Sequence, residues 1–327
     1  MFASPMGRDY NEEQQNAGGM CQMGKLNRTG LLLDLLSYVI WGVLPVFWAL
    51  LARVNSVYIL SQRILWSLIM VAVLLVVLKK TDEIRRVFRN RHDFLICFAC
   101  GALITLCWGL YIYAVNSGYV LEASMGYFVQ PVMVALVGFA VFRERPSRAE
   151  WTTFGFAVIG IGYLVIRTGT FPTLGLCMAG AFVVYGALKK NLDVSPYTSL
   201  FMETLCMAPF CGAFSLWWEM KNGGHGGALN GASFWLLVAA GFVTLLPMLL
   251  FNIGVQKIPY YVNGILMYIN PTLQFLAGLL CLHAELEHDR LIAFAIIWVG
   301  ILFTVAEKWK LMAEARKSAS PALADEG

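Results

Sequence analysis

Tyr127-Phe-Val-Gln-Pro131 and Met267-Tyr-Ile-Asn-Pro271 stand 140 residues apart, and their likeness decides the fold. Each sets a carboxamide directly before a proline inside a long apolar run, one at 118–142 and one at 259–282. The same offset joins Gly138 to Gly278 and Gly160 to Gly300, while Trp41-Gly42 matches Tyr185-Gly186 at 144. Similarity that recurs at one offset marks an internal duplication, a frequent origin of transporters. The halves cover 30–170 and 171–310, between polar tails at 1–29 and 311–327. The first holds apolar runs at 30–51, 57–78, 94–115, 118–142 and 150–167. The second holds them at 172–188, 196–218, 234–254, 259–282 and 290–306. An odd number of spans per half turns the second half upside down relative to the first. The expected fold class is therefore an all-α polytopic membrane protein, with ten transmembrane helices in two inverted five-helix repeats.

Composition agrees with that class. Of the 327 residues, 59% are hydrophobic and only 13% charged, against roughly 45–50% and 25% in soluble domains. The mean hydropathy is +0.67. These values exclude a disordered chain, a collagen-like fibre, a disulfide-stapled secreted module and an ordinary cytosolic enzyme. The polar stretch 1–28 has no apolar signal core, so the first span is expected to direct its own insertion.

Cations set the orientation. With both termini inside, the inner segments carry 19 Lys and Arg, including the cluster Lys79–Arg91 and the pair Lys189 and Lys190. The outer segments carry Arg53, Arg167, Lys221 and Arg290 alone. Such asymmetry predicts a cell-membrane protein with its N- and C-termini in the cytoplasm. The Lys79–Arg91 cluster reads as an inside-retention signal rather than a lipid-recognition patch.

Several motifs resolve into nothing chemical. Gly19-Met-Cys-Gln-Met-Gly24-Lys25 has the phosphate-loop spacing, but Leu26 stands where a magnesium-binding hydroxyl is needed. Cys97 and Cys100 form a C-x-x-C pair with no second pair at zinc spacing, so the thiols read as buried apolar groups. No H-E-x-x-H string or nucleophile–base pair lies within a span. The chain is expected to need no cofactor or metal and to bind no nucleic acid, and it does not read as an enzyme.

A charge at mid-membrane costs about 2.5–3.5 kcal/mol on insertion scales, so each one requires a reason. Four fall within spans: Asp34, Arg63, Glu122 and Glu203. Asp34 lies near the start of its helix, where the headgroup region and helix dipole tolerate a carboxylate. Arg63 and Glu203 are equivalent under the 140-residue offset and are expected to meet across the halves, as a structural ion pair, a gate or a contact to substrate charge. Glu122, with Gly126 and Gln130 on its helix face, is the candidate proton or substrate carboxylate; the alternative is a packing or capping role. A polar stripe runs through Asn263, Met267, Asn270 and Gln274, with Pro271 freeing a carbonyl. Thr105, Trp108 and Asn116, Thr244 and Asn252, Ser37, Tyr38 and Trp41, and Tyr185 complete the outline of a polar and aromatic central cavity. Any one of these residues, taken singly, equally suits helix–helix bonding or interfacial anchoring.

Five strings resemble the bacterial RarD family, in the EamA group of the drug/metabolite transporter superfamily. They are Tyr38-Val-Ile-Trp-Gly-Val-Leu-Pro45, Gln62-Arg63-Ile-Leu-Trp-Ser67, Leu121-Glu-Ala-Ser-Met-Gly-Tyr-Phe128, Glu203-Thr204 and Gly264-Ile-Leu-Met-Tyr-Ile-Asn-Pro-Thr-Leu273. Arg143-Glu-Arg145 and His283-Ala-Glu285 look like degenerate forms of that superfamily's Gly-Glu-Arg ending. The resemblance covers about 27–310. It implies ten helices in two inverted halves, an inner-membrane location, and export or exchange of small metabolites or drugs. It carries over no residue-level mechanism. The reading is a secondary transporter of small amphipathic molecules, working by alternating access around a midplane cavity, with the bilayer and a proton as further partners. A passive facilitator without ion coupling, and a membrane scaffold or enzyme, are the alternatives.

Overall fold

A computed structural model describes residues 27–116, 119–169, 171–222, 231–281 and 288–319. They form helices α1 (Arg28–Ala49), α2 (Ser56–Val77), α3 (Thr81–Arg89), α4 (Arg91–Asn116), α5 (Val120–Ala140) and α6 (Arg148–Thr168). These are followed by α7 (Thr173–Asn191), α8 (Pro196–Lys221), α9 (Gly231–Val255), α10 (Tyr260–Leu266), α11 (Ile269–Cys281) and α12 (His288–Ala319). Polar residues at the run edges start the helices. Asn27 Oδ1 accepts from the Gly30 amide, and Asn55 Oδ1 accepts from the amides of Val57 and Tyr58. Ser147 and Glu150 form a capping box at the start of α6.

Among the described residues six helical stretches are long and apolar enough to cross a membrane: Arg28–Ala49, Ser56–Val77, Arg91–Ala114, Arg148–Thr168, Pro196–Lys221 and Ser233–Val255. Met125–Ala140 and Leu291–Glu307 are shorter apolar helices. Leu32, Ile69, Val73, Phe139, Ile166 and Phe303 are exposed, as side chains facing lipid must be. The chain is thus an all-helical, multi-pass membrane protein.

Two local departures from the sequence reading matter. The basic segment 79–91 is not a plain loop but contains the amphipathic helix α3, which buries Val87 and turns its arginines outward. The run 259–282 is not one helix but two. Pro271 has no amide to bond the Met267 carbonyl, so the Asn270 amide takes it at 3.1 Å and the chain tightens for one turn between α10 and α11.

The helices pair in a pattern that survives exchange of the two halves. Corresponding helices face one another: α2 with α8, α5 with α10, and α6 with α12. The remaining pairs come in equivalents. α1 packs on α9 and α11, as α7 packs on α4 and α5; α2 packs on α9, as α8 packs on α4. Glycines mark these contacts. A Cβ on Gly160 would stand 3.1 Å from the Ala293 carbonyl and from Ile297, and one on Gly300 would stand 2.8 Å from Phe156 Cβ and 3.1 Å from Thr153 Cα. Ala293 is the 140-residue counterpart of Thr153, so each glycine seats against the other's helix at matching heights. Gly101 and Gly241 repeat the arrangement against Glu203 and Trp66.

Candidate functional site: an axial cavity

A cavity with about 390 Å³ of atom-free space opens among α2, α4, α8 and α9. Its wall contains Ile64 with Thr204, Ser67 with Met207, Ile104 with Thr244, Thr105 with Leu245, and Trp108 with Met248. Every one of these pairs is separated by 140 residues. A wall composed of repeat-equivalent residues lies between the halves, because equivalent positions of two related units converge only near the axis that relates them. Gly101, Leu200 and Glu203 complete the principal lining. The surface is aliphatic and thioether-rich, with four hydroxyls, one indole and one carboxylate. It suits a small molecule with an apolar body and few polar groups.

Glu203 is the charged member of this wall. It was expected to meet Arg63; instead Lys189 and Glu203 form a buried ion pair within the second half. The Lys189 ammonium donates to both Ser199 Oγ and Glu203 Oε1, and Ser199 Oγ also donates to Oε1 at 3.0 Å. Tyr185 precedes Lys189, and Ser199 precedes Glu203, by one helical turn, so two adjacent helix faces supply the whole cluster. Lys189, read from the sequence as a cytoplasmic loop cation, lies inside α7 and is fully buried. Glu203 Oε2 is buried with no hydrogen-bond partner, as is Thr244 Oγ1 on the facing helix.

Arg63 stands behind the wall. Its guanidinium carbon lies 3.7 Å from the Trp108 ring centroid and 5.5 Å from that of Trp48. Among the described residues it forms no ion pair with Glu203, and its Nε has no hydrogen-bond partner. Cation–π contact with Trp108 thus replaces the expected carboxylate. Arg63 supports the cavity through an aromatic wall residue.

The other expected site residues form a separate layer. Trp41 packs between Phe182, 6.0 Å away, and Phe251, 5.6 Å away, while Tyr185 stacks on Phe251 at 6.1 Å. Tyr185 donates to Asn252 Oδ1 at 3.0 Å, and Tyr38 donates to Asn263 Oδ1 at 2.6 Å. Gln274 donates to Asn270 Oδ1 at 2.8 Å; Asn270 and Gln130 are both buried. Of the expected residues, Glu203 and Trp108 line the axial cavity. Asn116 and Glu122 fall in α4 and α5, but their side chains lie outside the described residues.

The basic end of the bundle carries a polar seam between the halves. Glu83, on α3, accepts from the Ser195 amide at 2.9 Å and from the hydroxyls of Ser195 and Thr198, at the start of α8. Burial opposes ionisation of Glu83, but those bonds and nearby Lys80 outweigh it and hold the carboxyl below its ordinary value. Arg86 pairs with Asp193 at 3.3 Å. Glu144 accepts from the amides of Tyr260 and Tyr261 at 2.7 and 2.9 Å, capping α10, and Lys190 lies 3.4 Å from it. Carboxylates at helix N-termini are favoured both by free amides and by the helix dipole.

This architecture has counterparts among known proteins. A solved crystal structure superposes with a TM-score of 0.65 over 84% of this chain and 96% of that one, at 16% identity, a likeness of fold alone. Protein RarD of Streptomyces exfoliatus is 33% identical over 291 residues, covering 89% of this chain and 91% of that protein. An uncharacterized transporter of Pseudomonas aeruginosa is 34% identical, covering 86% and 95%. Protein RarD of Escherichia coli is 29% identical, covering 86% and 96%. These relatives are named transporters or RarD proteins, not enzymes. One family description, that of the EamA-like transporters, fits residues 28–166 and again residues 172–306. The chain therefore belongs to the EamA-like transporter family and is a multi-pass protein of the inner or plasma membrane.

Proposed function

We propose that the chain is a secondary transporter that exports small amphipathic metabolites or drugs by alternating access. One observation carries the reading: the cavity wall is made of residues paired at 140 positions across two halves. An inverted duplication has two equivalent arrangements of such a wall, one facing each side of the membrane. In this reading ten transmembrane helices form repeats at 30–170 and 171–310, with both termini cytoplasmic. The exchange-invariant helix pairing supports the repeat, and the 19-to-4 distribution of cations supports the orientation.

The residues take distinct parts. Glu203 Oε2 and Thr244 Oγ1 meet hydrogen-bonding groups of the substrate, while Lys189 keeps Glu203 neutralised. Arg63 holds Trp108 upright against the substrate's apolar body. Glu122 carries substrate charge or a proton. Asn116, Gln130, Asn263, Asn270 and Gln274, with Trp41 and Tyr185, line the route as the halves rock. Purified protein in liposomes, offered a broad panel of amphipathic aromatic solutes, should show saturable uptake that Trp108→Ala and Glu203→Gln weaken. Absence of transport across the panel overturns the reading. Transport that ignores an imposed pH gradient identifies a facilitator without proton coupling.

A further inference from the structure

Asp34 is the most isolated charge-bearing group in the described residues. It lies in the second turn of α1 with no measurable exposure, and both carboxyl oxygens are buried without a hydrogen-bond partner. Its surroundings withhold every donor. On α1 itself, Ser37 Oγ donates to the Asp34 main-chain carbonyl rather than the carboxyl, and Tyr38 gives its proton to Asn263. On α10, Tyr260, the other phenol that interacts with Asp34 electrostatically, donates to the Val183 carbonyl. On α9, Gly254 presses against Asp34, and Lys257 is exposed with its stem against Gly30. The Glu144–Lys190 pair caps the start of α10. α11 offers amides and no cation. No Lys, Arg or His among the described residues forms an ion pair with Asp34.

A bare carboxylate in such a place has neither solvent nor counter-charge, whereas the neutral acid is tolerated. The contact that excludes water is also one that can part. A Cβ on Gly254 would stand 2.7 Å from Asp34 Cβ and 2.8 Å from its amide nitrogen, so α1 and α9 touch there through backbone alone. That contact lies at the basic end, beneath the seam made by Glu83 and Glu144.

We propose that Asp34 is a proton-binding site of the transport cycle. It holds its proton while α1 is closed on α9 at Gly254, and it releases that proton to water at the basic end when the contact and the seam open. The O–H bond breaks heterolytically, the proton passes to water and the charge remains on Asp34 until α1 closes again. The Tyr38–Asn263 bond, one turn further along α1, carries the change to the broken helix pair α10–α11. The proposal rests on the alternating-access reading given above, which supplies the opening movement.

Infrared spectroscopy of the full chain in lipid nanodiscs tests the site with the proton itself as probe, without any transported solute. At neutral pH the protein should show a protonated-carboxyl C=O band that shifts in deuterium oxide, disappears in Asp34→Asn and persists in Glu122→Gln. Gly254→Leu, which forces α1 from α9, should convert that band to carboxylate at the same pH. A spectrum unchanged by Asp34→Asn, or a band lost instead in Glu122→Gln, overturns the proposal. A band that survives Gly254→Leu in folded protein overturns the role of the contact. A failure of solute transport with the Asp34 band present would count against the transporter reading and leave the buried acid standing.

Discussion

Lys189 and Glu203, 14 residues apart in sequence, neutralise one another in a site that water does not reach, at the edge of the axial cavity. Their separation places them on neighbouring helices of one half, so this pair organises the second half rather than bridging the two. Removing one partner of a buried ion pair leaves an uncompensated charge and costs about 3–5 kcal/mol. Lys189→Met and Glu203→Gln should each lower unfolding stability in detergent by that order. The double variant should be less destabilised than the sum of the singles, as a double-mutant cycle would reveal.

Charge reversal separates the expected partner from the observed one. Lys189→Glu combined with Glu203→Lys should recover expression and folded yield lost in either single change. Arg63→Glu combined with Glu203→Arg should recover nothing, because Arg63 rests on Trp108 instead. Recovery in the second pair would place Arg63 against Glu203 in another state of the cycle.

Trp108 connects Arg63 to the cavity. Trp108→Ala removes both a wall residue and the face on which the guanidinium sits, a contact worth about 0.5–2 kcal/mol. Solute transport should fall more in Trp108→Ala than in Trp108→Phe, which keeps an aromatic face. Equal losses in liposome assays would argue that the ring serves only to fill space.

The glycine contacts admit no side chain. Gly300→Leu should force α12 from α6, since Phe156 Cβ already stands 2.8 Å from the position a Cβ would take. Overpacking of this kind costs about 1–3 kcal/mol. Gly300→Leu and Gly160→Leu should lower the thermal midpoint by similar amounts, because the two positions are equivalent.

The Glu83 seam gives stability a pH dependence of defined sign. The folded carboxyl lies below its ordinary 4.5, so its contribution is complete above that value. It declines as pH falls from 4.5 through the lower folded value, where protonation removes the acceptor from Ser195 and Thr198. The stability difference between the protein and Glu83→Gln should be constant near neutral pH and shrink in acid. A difference that grows with acidity would contradict the assignment.

Hydropathy and cation placement are properties of consecutive residues, and they were legible without a fold. The apolar runs fall on helices, and the 140-residue offset seen in Gly160 and Gly300 reappears as a matched helix contact. Lys189 was misplaced for a physical reason. A charge at the edge of an apolar run reads as the end of a span, because the cost of burying it is counted against lipid rather than against a partner. Glu203, on the next helix, cancels that cost. Arg63 was matched to Glu203 by symmetry, yet symmetry relates backbones and not side chains, and Trp108 sits closer. Asp34 was assigned to the headgroup region from its distance to the helix start; only packing against Gly254 takes it out of reach of water. The order of residues thus determined the helices, their duplication and the family. Tertiary packing alone decided which charges meet, where the cavity lies and which carboxyl is left without a partner, because those depend on contacts between residues far apart in the chain.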